Sequence, residues 1–122
     1  LNRKKIYENY FEALKNVKGI VINKIHTRIK HNYTYFPIRI NEEFGIGRDK
    51  LVKILNQNNI YPRKYFYPLI SNMTPFKKYT NDSERLDISN LVSEQIICLP
   101  MYEELKEYHQ NKIINIILEN SV

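Results

Sequence analysis

"HNYTYFPIRI", residues 31–40, decides the fold. In an extended chain Thr34, Phe36, Ile38 and Ile40 fall on one side, and Tyr33, Tyr35, Pro37 and Arg39 on the other. One side is apolar, so the reading is a strand with a single buried face, which another layer must cover. Pro37 has no N–H to give to a ladder. It belongs on an edge strand, or at a point where no ladder bond is needed.

The covering layer is legible on both sides of this strand. Over residues 3–17, Ile6, Tyr10, Ala13, Leu14 and Val17 recur at i, i+4, i+7, i+8 and i+11, the stripe of an amphipathic helix that Gly19 ends. Asn2 is its one side-chain cap candidate. "GIVINKI" (19–25) follows as a short strand. After the turn "EEFGIG" (42–47), a helix runs from about Arg48 to Asn58, with Leu51, Leu55 and Ile54 or Val52 inward. Asn58 and Asn59 suit a left-handed C-cap. "SNMTPFKKYTNDSERLD" (71–87) is polar and long enough to be a functional or contact loop. "ISNLVSEQI" (88–96) is a short helix or turn, and "IICLP" (96–100) a buried strand. "YEELKEYHQNKIINIILEN" (102–120) closes as a helix. Its stripe is Leu105, His109, Ile113, Ile116 and Ile117, with Glu103 and Glu104 at its N-terminal end, where acids suit the helix dipole. This order predicts an α+β domain with helices packed on a short, mainly antiparallel sheet.

The bulk composition agrees. A chain of 122 residues makes one domain, 1–122, with 43% hydrophobic and 26% charged residues, an ordinary globular balance. No apolar run approaches the ~20 residues that span a bilayer, and the N-terminus lacks a signal-peptide core, so a cytoplasmic protein is expected. Cys98 is the one cysteine; within "IICLP" it reads as a small buried hydrophobe. The first residue is Leu and the only methionines are Met73 and Met101, which suggests a piece of a longer chain. Charge is uneven. Residues 1–80 hold sixteen Lys or Arg against five Asp or Glu, a balance of +11; residues 81–122 hold three against eight, −5. The basic part could meet a phosphate, a nucleotide or a nucleic acid, or the acidic part of the same chain.

No catalytic constellation and no metal site is expected. Gly45 and Gly47 in "GIG" lack the third glycine and preceding strand of a dinucleotide loop. His26, His31 and His109 have no ligand spacing, and His109 reads as a core or interface histidine. The adjacent Glu103 and Glu104 point to different sides of a helix.

"YPRKYFYPLIS" (61–71) stands out against this background. A core would use Leu, Ile and Val here, and a solvated loop Gly, Ser and Asn. Each Pro disfavours helix at the residue before it, so the segment reads as extended, with Tyr61, Arg63, Tyr65 and Tyr67 on one side. With Tyr33, Tyr35 and Arg39 of the strand above, it could form a surface of phenols and guanidinium that stacks on a flat ring and pairs with phosphate. The same residue types suit a seam against another domain or subunit. Residue types alone leave both readings open.

"YPRKYFYPLIS", preceded by "RDKLVKILNQNNI" and followed by "SEQIICLPMYEEL", resembles the C-terminal region of the DegT/DnrJ/EryC1/StrS family, sugar aminotransferases dependent on pyridoxal phosphate (PLP). "NYTYFPIRI" is similar to that family's small-domain strand, and "RKKIYENYFEAL" to the helix leading into the small domain. The "RKYFYP" and "CLPMY" segments are the most specific pieces. The resemblance implies the small α+β domain of an aspartate-aminotransferase-type fold. It implies a large domain elsewhere that holds the cofactor and the Schiff-base lysine, so neither Lys50 nor Lys64 is a candidate for that role. It also implies a homodimer, and a nucleotide-linked keto-deoxysugar as substrate. On this basis Arg63 would meet phosphate or a neighbouring acid, Tyr65 and Tyr67 would pack on or hydrogen-bond the sugar, and Tyr33, Tyr35 and His31 would stand nearby. Where "PLIS" stands many family members carry a histidine, which this chain lacks. The fragment alone would neither bind cofactor well nor transaminate. The competing readings are a stand-alone nucleic-acid module with a basic, Tyr-rich face, and a purely protein-contacting domain. No RNP-like, KH or helix-turn-helix pattern supports the first.

Overall fold

A computed structural model describes residues 2–79 and 86–122. The strand that decides the fold forms as β2, Phe36–Ile40. Phe36, Ile38 and Ile40 are buried and Pro37 and Arg39 half-buried, as the alternation requires. The short strand Ile20–Val21, β1, pairs with it on one side, and Ile96–Leu99, β3, on the other, both antiparallel. β2 is therefore the central strand, and Pro37 is not on an edge.

The ladder pattern explains how a proline sits there. Cys98 directs both its N–H and its C=O to Arg63, at 2.8 and 3.1 Å, away from β2. The facing pair Pro37–Cys98 is thus a non-hydrogen-bonded pair, and the nitrogen of Pro37 points to the β1 side. β1 ends at Val21, opposite Arg39, so no acceptor waits there.

Helix α1, Asn2–Leu14, and the last helix, Glu107–Glu119, cover the inner face of the sheet together with the helix Arg48–Gln57. These are α1, α4 and α2. Ile6, Tyr10 and Leu14 of α1 meet Ile113 and Ile117 of α4, Leu51 and Leu55 of α2, and the inward residues of β2 and β3 in one core. Tyr10 is fully buried. Its ring lies 5.0 Å from that of Phe36, and its hydroxyl donates to the Pro100 carbonyl at 3.1 Å. Asn59, φ +61°, is the left-handed residue beyond α2.

Four expectations change. Glu103 and Glu104 lie in a turn ahead of α4, whose N-cap is Lys106. His109 is exposed beside Tyr108; Gln110 takes the inward place, its amide donating to the Ile6 carbonyl at 2.7 Å. That bond satisfies a polar group which burial would otherwise penalise by roughly 1–3 kcal/mol. The long loop carries two short 3-10 turns, Ile70–Asn72 and Lys77–Tyr79; residues 80–85 lie outside the described residues, and the helix Asp87–Gln95, α3, follows. The segment 61–71 is extended only as far as Lys64. It then turns at Tyr65 and Phe66, with the Tyr67 N–H donating to the Lys64 carbonyl at 2.9 Å.

Candidate functional site

The two-residue bridge between Arg63 and Cys98 adds the Tyr-rich segment to the sheet beside β3. This places the middle of the "HNYTYFPIRI" stretch, the bridge and the run Leu99–Tyr102 around one cleft of about 400 Å³. Thr34 and Tyr35 form one wall and Tyr61, Arg63 and Tyr65 another. Cys98, Leu99, Pro100, Met101 and Tyr102 make up the rest. The volume lies within the usual range of small-ligand pockets.

The chemistry of the cleft is phenolic and cationic. Arg63 is exposed, and its Nη1 donates to the Tyr65 hydroxyl at 2.5 Å. That bond, with the nearby Tyr65 and Tyr35 hydroxyls, raises the guanidinium above its ordinary pKa. Only Tyr65 accepts from the Arg63 guanidinium among the described residues, so four of its five N–H donors remain for a ligand. The Tyr35 ring stands edge-on to that of Tyr65, with centres 5.5 Å apart and planes at 90°. Cys98 is buried at the back, and burial pushes its thiol pKa up. A cleft of this kind can pack rings against a flat or sugar-like group and pair a guanidinium with phosphate oxygens.

The six residues singled out from the sequence divide three ways. Arg63, Tyr65 and Tyr35 share the cleft. Tyr67 turns away from it, its ring centre 4.7 Å from Arg48 Cζ and 5.7 Å from Lys64 Nζ. His31 and Tyr33 lie against α1, packed edge-on to Tyr7 at 5.5 and 5.4 Å, beside a separate shallow depression with Arg3 and Glu103. The turn at Tyr65 and Phe66 causes the first separation, because it breaks the alternation that an extended segment would keep. Positive φ at Tyr33, +52°, contributes to the second by bending the chain just before β2. Tyr61, read from the sequence as part of the same aromatic face, lines the cleft as well, and so does Tyr102, which the sequence did not mark. Tyr102 follows directly on "CLPM", whose pairing with Arg63 carries it there.

Lys64 lies on the far side of the segment, 2.5 Å from Asp49 Oδ1, and no lysine lines the cleft among the described residues. These residues do not make a Schiff-base pocket for PLP. No group of three or more His, Cys, Asp or Glu is placed to hold a metal ion among the described residues. No helix among them is long and apolar enough to cross a membrane.

Comparison with known proteins identifies the family to which this fold belongs. The model of the DegT/DnrJ/EryC1/StrS aminotransferase family matches residues 1–118. The chain is 39% identical over 120 residues to a dTDP-4-amino-4,6-dideoxy-D-glucose transaminase of Escherichia coli, covering 97% of this chain and 32% of that one. A solved DegT DnrJ EryC1 StrS aminotransferase from Brucella abortus superposes with a TM-score of 0.81 at 25% identity, over 97% of this chain and 30% of that one. DesI, solved in the presence of its TDP-sugar product, gives 0.86 at 18% identity, over 98% and 30%, and speaks for the fold alone. The chain spans about a third of the length of the curated relatives it matches. With the family model matched over nearly every residue and the fold shared with solved members, the chain belongs to the DegT/DnrJ/EryC1/StrS aminotransferase family.

Proposed function

We propose that residues 1–122 are the small domain of a PLP-dependent aminotransferase that acts on a nucleotide-linked keto-deoxysugar. The observation that carries this reading is the cleft. An exposed guanidinium with unspent donors stands at its wall, and phenol rings surround it. Arg63 pairs with phosphate oxygens, while Tyr65 and Tyr35 pack against the sugar or hydrogen-bond to it. Tyr61 and Tyr102 extend the aromatic wall. The E. coli relative's named substrate, a dTDP-linked amino sugar, has both chemistries in one molecule.

PLP when bound supplies the carbonyl that carries the amino group. Its lysine and ring-holding residues belong to a large domain of the same polypeptide, since the residues of this cleft do not suit that role. The enzyme works as a cytoplasmic homodimer, and this domain contributes to the mouth of the site and to the dimer contact. Alone it does not transaminate.

The test is steady-state kinetics of the intact protein with a dTDP-linked 4-keto-6-deoxyhexose. Arg63→Ala removes a charge-assisted contact to phosphate at an exposed position and raises KM by about tenfold. Unchanged kcat and KM in Arg63→Ala would refute the phosphate role.

A further inference from the structure

The Tyr-rich segment has two sides. Arg63 and Tyr65 face the cleft, and Lys64 and Tyr67 face the start of α2. Arg48, the first residue of α2, is buried, with only 5% of its surface exposed. Its Nη1 donates to the carbonyls of Ser93, at 2.8 Å, and Ile96, at 3.2 Å, at the joint between α3 and β3. Its Nε lies 2.7 Å from Asp49 Oδ1, an ion pair in which the N–H is not aimed along a hydrogen bond.

The edge of the guanidinium is thus committed to α3, β3 and Asp49, and its face is left for the Tyr67 ring at 4.7 Å. Lys64 completes the cluster by pairing with the same Asp49 oxygen at 2.5 Å. The turn is therefore held at Lys64 and at Tyr67, the two residues joined by its closing hydrogen bond, and Tyr65 is presented between them. A lysine at position 48 would keep the charge. It would lack the planar fork and the flat face that serve two carbonyls and a ring together.

We propose that Arg48 is a positioning residue for the cleft. With Asp49 and Lys64 it fixes the turn through Tyr67, so that Tyr65 and Arg63 are presented to the sugar nucleotide. The proposal rests on the reading of the cleft as a substrate site. None of Arg48, Asp49, Lys64 and Tyr67 lines the cleft; the turn that carries Tyr65 is the part of its wall to which Lys64 and Tyr67 belong.

The experiment places 3-fluorotyrosine at position 65 of the intact protein. It reads the fluorine resonance together with KM and kcat for a dTDP-linked 4-keto-6-deoxyhexose. Arg48→Lys shifts or broadens the resonance and raises KM about tenfold, with kcat within about twofold. Tyr67→Phe keeps the ring and leaves both readouts at wild type. Tyr67→Ala reproduces Arg48→Lys, and the double variant is no worse than either alone. If Arg48→Lys does not fold, Lys64→Met, a half-buried position, carries the test with the same expected shift. A folded Arg48→Lys, or Lys64→Met in its place, with unmoved resonance and KM overturns the proposal. So does a moved resonance with unmoved KM when Arg63→Ala does raise KM. If Arg63→Ala leaves KM unmoved as well, the substrate reading fails, and the resonance alone then decides whether Arg48 holds the turn.

Discussion

Replacing Gly19 with alanine tests how rigidly β1 is wedged against the turn that follows β2. Gly19 has φ +80°, a left-handed conformation that costs an alanine about 1–2 kcal/mol. The larger cost is contact. An added Cβ would lie 2.0 Å from Phe44 N, 2.4 Å from Phe44 Cα and 2.6 Å from Glu43 C. These are main-chain atoms of the 3-10 turn Glu42–Phe44 and cannot rotate aside. The turn must move, which strains the bond from the Asn41 N–H to the Gly19 carbonyl, 2.9 Å, and lifts the fully buried Phe44. Losing that hydrogen bond costs about 1 kcal/mol, and partial loss of a buried Phe adds about 1–2, for a total of about 3–5 kcal/mol. Gly45→Ala is the control. It shares a positive φ, +90°, but its Cβ would meet only Val122 Cγ2 at 2.1 Å, on a side chain 85% exposed and able to swing away. Only the conformational cost of about 1–2 kcal/mol remains. Gly47 has open space around it, and Gly47→Ala stays within about 0.5 kcal/mol. Hydrogen exchange of the β2 amides, read by mass spectrometry, measures local opening. Exchange accelerates about 10²–10⁴-fold in Gly19→Ala and about tenfold in Gly45→Ala. Equal acceleration in the two variants would show that the Phe44 turn yields at no cost, and the reasoning would fail.

Two further outcomes follow from buried titratable groups. Burial holds the Tyr10 phenol well above its ordinary pKa, with the nearby Tyr102 adding to the effect. Above pH 10 the unfolded chain releases this proton and the folded one keeps it, so stability falls with rising pH by about 1.4 kcal/mol per unit. Tyr10→Phe removes that slope from urea midpoints measured between pH 9 and 11.5, and below pH 10 costs about 1 kcal/mol for the lost bond to Pro100. An unchanged slope would exonerate Tyr10. Cys98, buried and raised in pKa, is alkylated by iodoacetamide slowly in the native protein and rapidly in denaturant, with peptide mapping as the readout. Rapid native labelling would mean that β3 is open to solvent at the cleft.

The parts of the fold that follow a periodicity were legible in the sequence. Phe36, Ile38 and Ile40 are inward because a strand repeats every two residues, and Leu51 and Leu55 because a helix repeats every 3.6. Gln110 was missed because hydropathy gave it no weight, although it stands at i with Ile113 and Ile117 at i+3 and i+7. Its place is set by one carbonyl on α1, a contact 104 residues away in sequence. The cleft was half legible. Aromatic and cationic residue types marked the segment, but alternation assigned Tyr65 and Tyr67 to one side, and the turn between them separates the two. Arg48 carried no signal, since an arginine opening a helix after glycine reads as a solvated residue. Its burial is imposed by the carbonyls of Ser93 and Ile96, brought there only by the tertiary fold.

The Arg63–Cys98 bridge gives the aromatic segment two hydrogen bonds to the sheet, with one cluster of side chains at its far end as the other attachment. Such a segment behaves as a cassette. Its interior, Tyr65 and Phe66, stands outside the core, so these residues can be exchanged without disturbing the hydrophobic interior, provided that the bridge partner and the clamp on α2 are kept. If the cleft holds the sugar nucleotide as proposed, substrate range would diversify at these few positions while the scaffold stays the same.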